Sequence, residues 1–450
     1  MNRIITILFC FFVYIIPACG QTDSLKYIYN NCGAGKNSVA LTSDSCYIIF
    51  TITNDSSDNF RRDHRINVNH YDFLFLKFDK NGNVIKGTRF IDNESHDQYA
   101  KVLKTRNNCI YLAGLKEKIN CNWSLRIFRM DSNATNYLWD STYFISNYYK
   151  DAIVSYDITE DVFGNLTILS YINDSLKPFD KDHLWITKIN ENGEVILKKR
   201  VDADLIYQRD IDIIQNYSCD GAFYIRTRRE IQGSLEKFDS TINTYYSAYI
   251  KNYDILKISN TGEVLSRIKI PVQTEVLMAC INKKKQFMGF VLNDFSGFAK
   301  VKSFNPSKPD YFQRVDSSYL SLIIIDSAIS KTEEKPVKNF PLLFSNGGRV
   351  AQPATDIISL FDSTYAFLYT TKQYDSVYVY FAKTDANGNM IINKVINIEP
   401  FVFDEGVGLL AVDSGFVLIG GTRKISDRYL QHLNKLRMIK LDLNGKMKTF

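Results

Sequence analysis

The sequence predicts an all-β fold, a seven-bladed β-propeller with eight blades as the alternative, and three observations carry the prediction. The first is an eight-residue pattern that returns along the chain: basic, apolar, Asp/Asn/Ser, any residue, Asn/Thr, Gly, any residue, apolar. It occurs at Lys77–Val84, Lys188–Val195, Lys257–Val264, Lys383–Met390 and Lys440–Met447. The second is that each copy joins two short apolar runs of strand length, such as Phe73-Leu74-Phe75-Leu76 before the first copy and Val195-Ile196-Leu197 after the second. The third is another turn signal upstream of each copy, as in Leu409–Arg423, where Asp413-Ser414-Gly415 divides two apolar segments. Two hairpins per repeat make a four-stranded unit, and units recurring every 50–70 residues or so are the mark of a radial β array.

Taken in order, the chain opens on an export signal. Met1-Asn2-Arg3 is a short basic lead, Ile4 to Ile16 is almost wholly apolar, and Pro17-Ala18-Cys19-Gly20 supplies small residues for cleavage, so residues 1–20 are set aside from the fold. Two processing routes fit. Ile16-Pro17-Ala18-Cys19 resembles a bacterial lipobox that would make Cys19 a lipidated first residue, although Pro17 departs from the usual pattern; Ala18-x-Gly20 instead suits an ordinary signal peptidase. The expected location is the periplasm, the outer-membrane surface or the exterior, with membrane contact only through an anchor at Cys19. Cys32, Cys46, Cys109, Cys121, Cys219 and Cys280 follow, an even set that suits either disulfides in an oxidising compartment or small buried residues.

The propeller is expected over residues 21–450. Within the repeat, the Asn-Gly or Thr-Gly step supplies the positive φ that a tight antiparallel connection needs. Asp-x-Asn-Gly brings one carboxylate where a calcium ion takes about six to eight oxygens, so the motif reads as a turn and no metal or cofactor is expected. Counting degenerate copies at Arg129–Ala134 and Lys302–Ser307, the units fall at 37–91, 99–146, 152–201, 210–271, 276–315, 355–398 and 405–450. Residues 317–351 then read as an insertion, or as an eroded eighth blade. Leu25-Lys26-Tyr27-Ile28-Tyr29 is a spare β-prone segment, expected to pair with the last blade and latch the chain ends together.

Units of the form Gly415-Phe416-Val417-Leu418-Ile419-Gly420-Gly421 followed by Met438-Ile439-Lys440-Leu441-Asp442-x-Asn444-Gly445 resemble the short β-propeller repeats of secreted and surface-attached bacterial proteins. The resemblance covers nearly the whole chain after the signal and implies the fold far more than an activity. The tryptophan that often follows the turn in that family is missing here.

Formal net charge is +6, with basic residues scattered among 49 acids and no continuous basic stripe, which argues against nucleic acid as a partner. HExxH, Gly-x-Ser-x-Gly and P-loop motifs are all missing from the sequence. The long connections between second and third strands, 54–70, 229–249 and 424–435, share one face and carry Arg61, His64, Tyr245 and His432. Such side chains combine flat area with hydrogen-bond donors, which suits an envelope protein, a glycan or a peptide. The expected function is therefore a non-catalytic exported binding propeller. The alternative is a propeller glycosidase or lyase using acidic residues in the central channel, and its signature would be a carboxylate pair about 5–10 Å apart in a pocket.

Overall fold

The computed structural model describes residues 25–30, 37–62, 66–91, 95–118, 123–144, 152–173, 183–201, 211–214, 222–239, 244–270, 274–281, 287–301, 311–325, 332–336, 343–345, 352–353, 358–360, 363–373, 376–396, 401–424 and 435–448. Strand β1 (Leu25–Asn30) precedes a first sheet of β2 (Val39–Leu41), β3 (Tyr47–Arg62), β4 (Ile66–Phe78) and β5 (Val84–Phe90). The second sheet holds β6 (Ser95–Lys104), β7 (Ile110–Lys118), β8 (Trp123–Met130) and β9 (Tyr137–Tyr143). The third holds β10 (Ala152–Glu160), β11 (Leu166–Asn173), β12 (His183–Ile189) and β13 (Val195–Val201). The fourth holds β14 (Ile211–Ile214), β15 (Phe223–Asp239), β16 (Thr244–Ile258) and β17 (Val264–Ile270). The fifth is β18 (Thr274–Ile281), β19 (Phe287–Val301), β20 (Tyr311–Ile325), β21 (Thr332–Pro336) and β22 (Leu343–Ser345). The sixth is β23 (Gln352–Pro353), β24 (Ile358–Ser359), β25 (Tyr365–Gln373), β26 (Ser376–Thr384) and β27 (Met390–Val395). The chain ends in β28 (Phe401–Val412), β29 (Gly415–Lys424), β30 (Lys435–Leu441) and β31 (Met447–Lys448). Each sheet touches the next in chain order, and β2 of the first touches β28 of the last, so the ring closes.

The apolar runs form strands because neighbouring sheets cover their faces, as the first sheet shows. Along Phe73-Leu74-Phe75-Leu76 alternate side chains point to opposite faces. Phe73 and Phe75 pack with Ile110, Leu112 and Phe128 of the second sheet. Leu74 and Leu76 pack with Val417, Ile419 and Met438 of the last. The same arrangement joins the second sheet to the third, the third to the fourth and the sixth to the last, so the core is a series of layers between neighbouring sheets. Each fully buried large side chain contributes about 1.5–3 kcal/mol by leaving water.

Three expectations need correction. Counted as sheets built wholly from consecutive strands, the ring has six, not the seven or eight anticipated from the repeats. The remaining sheet is composite, in the order β1-β30-β29-β28, with β31 also on β30. Leu25 faces Ile439 and Asn30 faces Lys435, while Leu441 faces Met447, so β1 and β31 lie end to end along one edge of β30. This is the latch foreseen for Leu25–Tyr29, and β1 supplies most of it.

Residues 317–351 are not an extra blade: 317–325 complete the third strand of the fifth sheet, and β21 and β22 both pair with it. The degenerate motif at 302–307 is accordingly no third-to-fourth-strand turn, because it falls between β19 and β20, the second and third strands. Its Asn-Pro step imitated a turn signal, while the end of β20 carries no Asn-Gly to announce itself.

Finally, 54–70 and 229–249 are largely not loops: their backbones continue as paired strands.

Candidate functional site at the hairpin end

Antiparallel order puts the connections between first and second strands, and between third and fourth, at one end of the ring. Those between second and third strands lie at the other. The two ends differ in build.

At the turn end, the repeated motif folds into a tight turn with a bulge. Gly82 N–H donates to Asp79 O at 2.9 Å, Asp79 N–H donates to Asn83 O at 2.9 Å, and Gly82 takes φ 78°. The Asp79 carboxylate accepts the amides of Asn81 and Asn83, both at 2.8 Å, so its oxygens are engaged by the turn itself. The basic residue that opens the motif is also structural. Lys77 Nζ donates to Asp44 Oδ2 in its own sheet's first turn and to Asn133 O in the next sheet's second turn, each at 2.6 Å. Lys188 of the third sheet repeats this two sheets further on, reaching Asp161 Oδ2 at 2.9 Å and Asn260 Oδ1. Arg129 takes the same place in the second sheet and donates to Glu191 O at 2.6 Å. Burial would raise the Asp161 carboxyl, but Lys188 and the Asn165 amides outweigh it and hold the group below the usual carboxylate range. Burial likewise depresses Lys188, opposed by Asp161.

At the opposite end, three second-to-third-strand hairpins run far beyond the sheets they leave. The β3/β4 ribbon is paired out to Arg62 and Ile66, though the first sheet's outer strand stops opposite Phe73. The β15/β16 ribbon reaches Asp239 and Thr244, while β17 stops opposite Tyr253. The β19/β20 ribbon reaches Val301 and Tyr311. At roughly 3.3 Å per residue, the projections are ~25–35 Å long. The first two are interrupted just outside the sheet, between Asn54 and Asn59 and between Glu230 and Ser234. Such irregularities bend and twist a ribbon. The third is regular, and β22 adds a strand to it by pairing Leu343–Ser345 with Asp316–Ser318.

Arg61 stands on β3 opposite Asn67, and Tyr245 on β16 opposite Phe238, in ribbons of the first and fourth sheets. His64 and His432 lie outside the described residues. The β19/β20 ribbon, with Phe295, Phe298, Tyr311 and Phe312, was not anticipated as part of this end.

Below the first ribbon, charged side chains are sealed between the first and second sheets. Asp72 is fully buried and accepts Arg89 Nη2 at 2.6 Å. Asp97 is 1% exposed; its Oδ2 accepts Phe73 N–H at 2.9 Å, while its Oδ1 has no hydrogen-bond partner. Burial pushes the Asp97 carboxyl up to about 8, with Asp72 adding to the effect and the Phe73 amide, Lys116 and Arg126 opposing it. Arg126 makes a two-pronged contact with Asp140, at 2.7 and 3.1 Å, and lies over the Phe128 ring. Along the inner strands, Lys101 of β6 meets Asp157 of β10 at 2.8 Å. Asp97 and Asp157 thus link neighbouring sheets, through the Phe73 amide and Lys101, while Asp72 pairs with Arg89 within the first sheet. Nothing local in the sequence marks Asp97, since its burial is made by a neighbouring sheet.

No protein-family model and no curated protein matches the chain. Among solved structures, the chain is similar to an ulvan lyase of a polysaccharide lyase family bound to -[GlcA(1-4)Rha3S]-, with TM-score 0.50 and 9% identity over 93% of this chain and 96% of that one. It is also similar to the β-propeller domain of the Trilobed protease from Pyrococcus furiosus, at TM-score 0.46 and 13% identity over 94% and 95%. A third likeness is to the β-xylosidase RS223, at TM-score 0.34 and 10% identity over 95% and 98%. The likeness is one of fold.

Proposed function

We propose that the protein is an exported, non-catalytic propeller that binds an envelope protein or peptide through its hairpin end. The carrying observation is the projection of three two-stranded ribbons from one end of the ring. A ribbon beyond its sheet has edges open to a further strand, and an extended peptide that adds to such an edge gains main-chain hydrogen bonds along its length. The pairing of β22 on β20 is an instance of this within the chain. Aromatic residues recur on the ribbons, with Tyr245, Tyr246 and Tyr249 on β16 alone.

The test is a photo-crosslinking amino acid placed at Arg61 and, separately, at Tyr245 in cells, with adducts identified by mass spectrometry. One discrete protein partner is expected at both positions, and the adduct at Arg61 should be lost when residues 229–251 are replaced by an Asn-Gly turn. A glycan-only adduct, or none, would overturn the reading. The enzyme alternative, supported by fold-level likeness to a lyase, predicts release of unsaturated sugars from uronate-containing polysaccharide by the purified protein.

A further inference from the structure

We propose that the turn end of the ring rests on a lipid surface, so that the hairpins point away from the membrane. This stands on the N-terminal tether expected from the sequence and is independent of what the hairpins bind. Three observations converge on it.

First, the direction of β1 fixes where the tether meets the ring. Strand β30 runs toward the turn at Asp442–Gly445, and β1 is antiparallel to it, with Leu25 opposite Ile439 and Asn30 opposite Lys435. The chain therefore enters β1 at the turn end. Only the six residues from Gly20 to Leu25 carry the chain from Cys19 to the start of β1. At about 3.3–3.6 Å per residue, they span at most ~20 Å. A lipid on Cys19 would hold that rim within the same distance of the bilayer.

Second, the rim is apolar where a surface in water has no reason to be. The outer strands begin just after the motif glycines with Val84 and Ile85, Val195 and Ile196, Val264 and Leu265, and Ile391, exposed by 37–57%. The turns add Phe163 at 76% and Leu443 at 54%. These residues come from the first, third, fourth, sixth and last sheets, which spreads the aliphatic surface round the ring. A repeated apolar rim is a larger feature than scattered exposed side chains.

Third, lysines accompany it. Lys86, Lys394 and Lys448 lie on the same outer strands, and their ammonium groups donate to the backbone carbonyls of Thr135, Asn444 and Ser414. Their apolar stems lie along the aliphatic rim, as lysine stems do at the boundary between acyl chains and headgroups, while Glu191 and Glu263 in the same turns, 73% and 66% exposed, keep the rim from being purely basic.

The test uses the full chain reconstituted in phosphatidylcholine–phosphatidylglycerol vesicles that carry a photoactivatable phospholipid, with adducts mapped by mass spectrometry. Adducts are expected on the segments holding Ile85, Leu265 and Phe163, and not on the three hairpins. Replacing Ile85→Asn together with Leu265→Asn, both more than half exposed, should cut the adducts on β5 and β17 several-fold while the far-ultraviolet spectrum stays unchanged. Adducts confined to the hairpins, or none on the rim, would overturn the proposal. So would protein–protein adducts at the rim that grow with protein concentration, since a second copy would then cover it. The hairpin partner test reads different residues, so either idea can fail alone.

Discussion

Asp97 shows how a single side chain acquires properties that its neighbours in sequence do not give it. Its carboxyl sits between two sheets, one oxygen on the Phe73 amide and the other without a partner, and burial lifts it to about 8 from 3.8. Between those values the folded chain keeps a proton that the unfolded chain releases. The contribution of Asp97 is therefore complete below about pH 4 and is lost as pH rises toward 8. Asp97→Asn, neutral throughout, should be near wild type at low pH. At the upper end of the window it should be more stable by on the order of 2 kcal/mol, well inside the limit set by a shift of this size. Urea midpoints measured on both variants at pH 5 and pH 8 check this; an equal difference at the two pH values would mean that the carboxyl titrates normally. Lys188 has the opposite logic. Lys188→Met leaves Asp161 buried without its cation, which should cost about 3 kcal/mol. Adding Asp161→Asn should recover part of that loss in the same denaturation experiment.

Among elements, what the sequence made legible was whatever a local rule controls. The Asn-Gly and Thr-Gly turns could be read because positive φ is a one-residue demand, and Gly262 shows its strength. It adopts φ +83°, and a Cβ there would stand 2.8 Å from Ile186 Cγ2 of the neighbouring sheet. Gly262→Ala should thus cost about 1–2 kcal/mol, read as a lowered thermal midpoint, from backbone strain plus the collision. Ala134 occupies the corresponding place in the degenerate Asp131 turn with φ 54°, so the turn survives alanine where its surroundings leave room. The basic position of the repeat was visible as a pattern, but its purpose was not: Lys77 and Lys188 bridge turns of adjacent sheets, a relation between residues 56 or more apart in the chain. The ribbons were hidden for a different reason. Residues 54–62 and 229–239 are mostly polar although their backbones continue as paired strands, and polarity without alternation reads as loop. In the fifth sheet the apolar strand Leu320–Ile325 was plain, yet its owner was not, since strand assignment depended on a turn signal that Asn305-Pro306 imitated.

For the whole molecule, the decisive place is the seam where the last sheet meets the first. Two devices hold it. One is the packed layer of Val39, Ile49, Leu74 and Leu76 against Val417, Ile419, Leu436 and Met438, which resembles the layers elsewhere in the ring. The other is the edge of β30, covered by β1 over Lys435–Ile439 and by β31 only at Lys440 and Leu441. Deleting residues 22–31 removes the second device and leaves the first. The ring should still form, because the apolar layer survives, but β30 would present an open edge and the two chain ends would no longer be joined by hydrogen bonds. The melting temperature should fall by several degrees, and limited proteolysis should cut first within 37–46 or 435–450 instead of at the hairpins. Shortening the β15/β16 ribbon at 231–247 provides the contrast, since it removes as much paired backbone from outside the ring and should leave the melting temperature nearly unchanged. If the two deletions lower it equally, closure does not depend on β1, and the packed layer alone holds the seam.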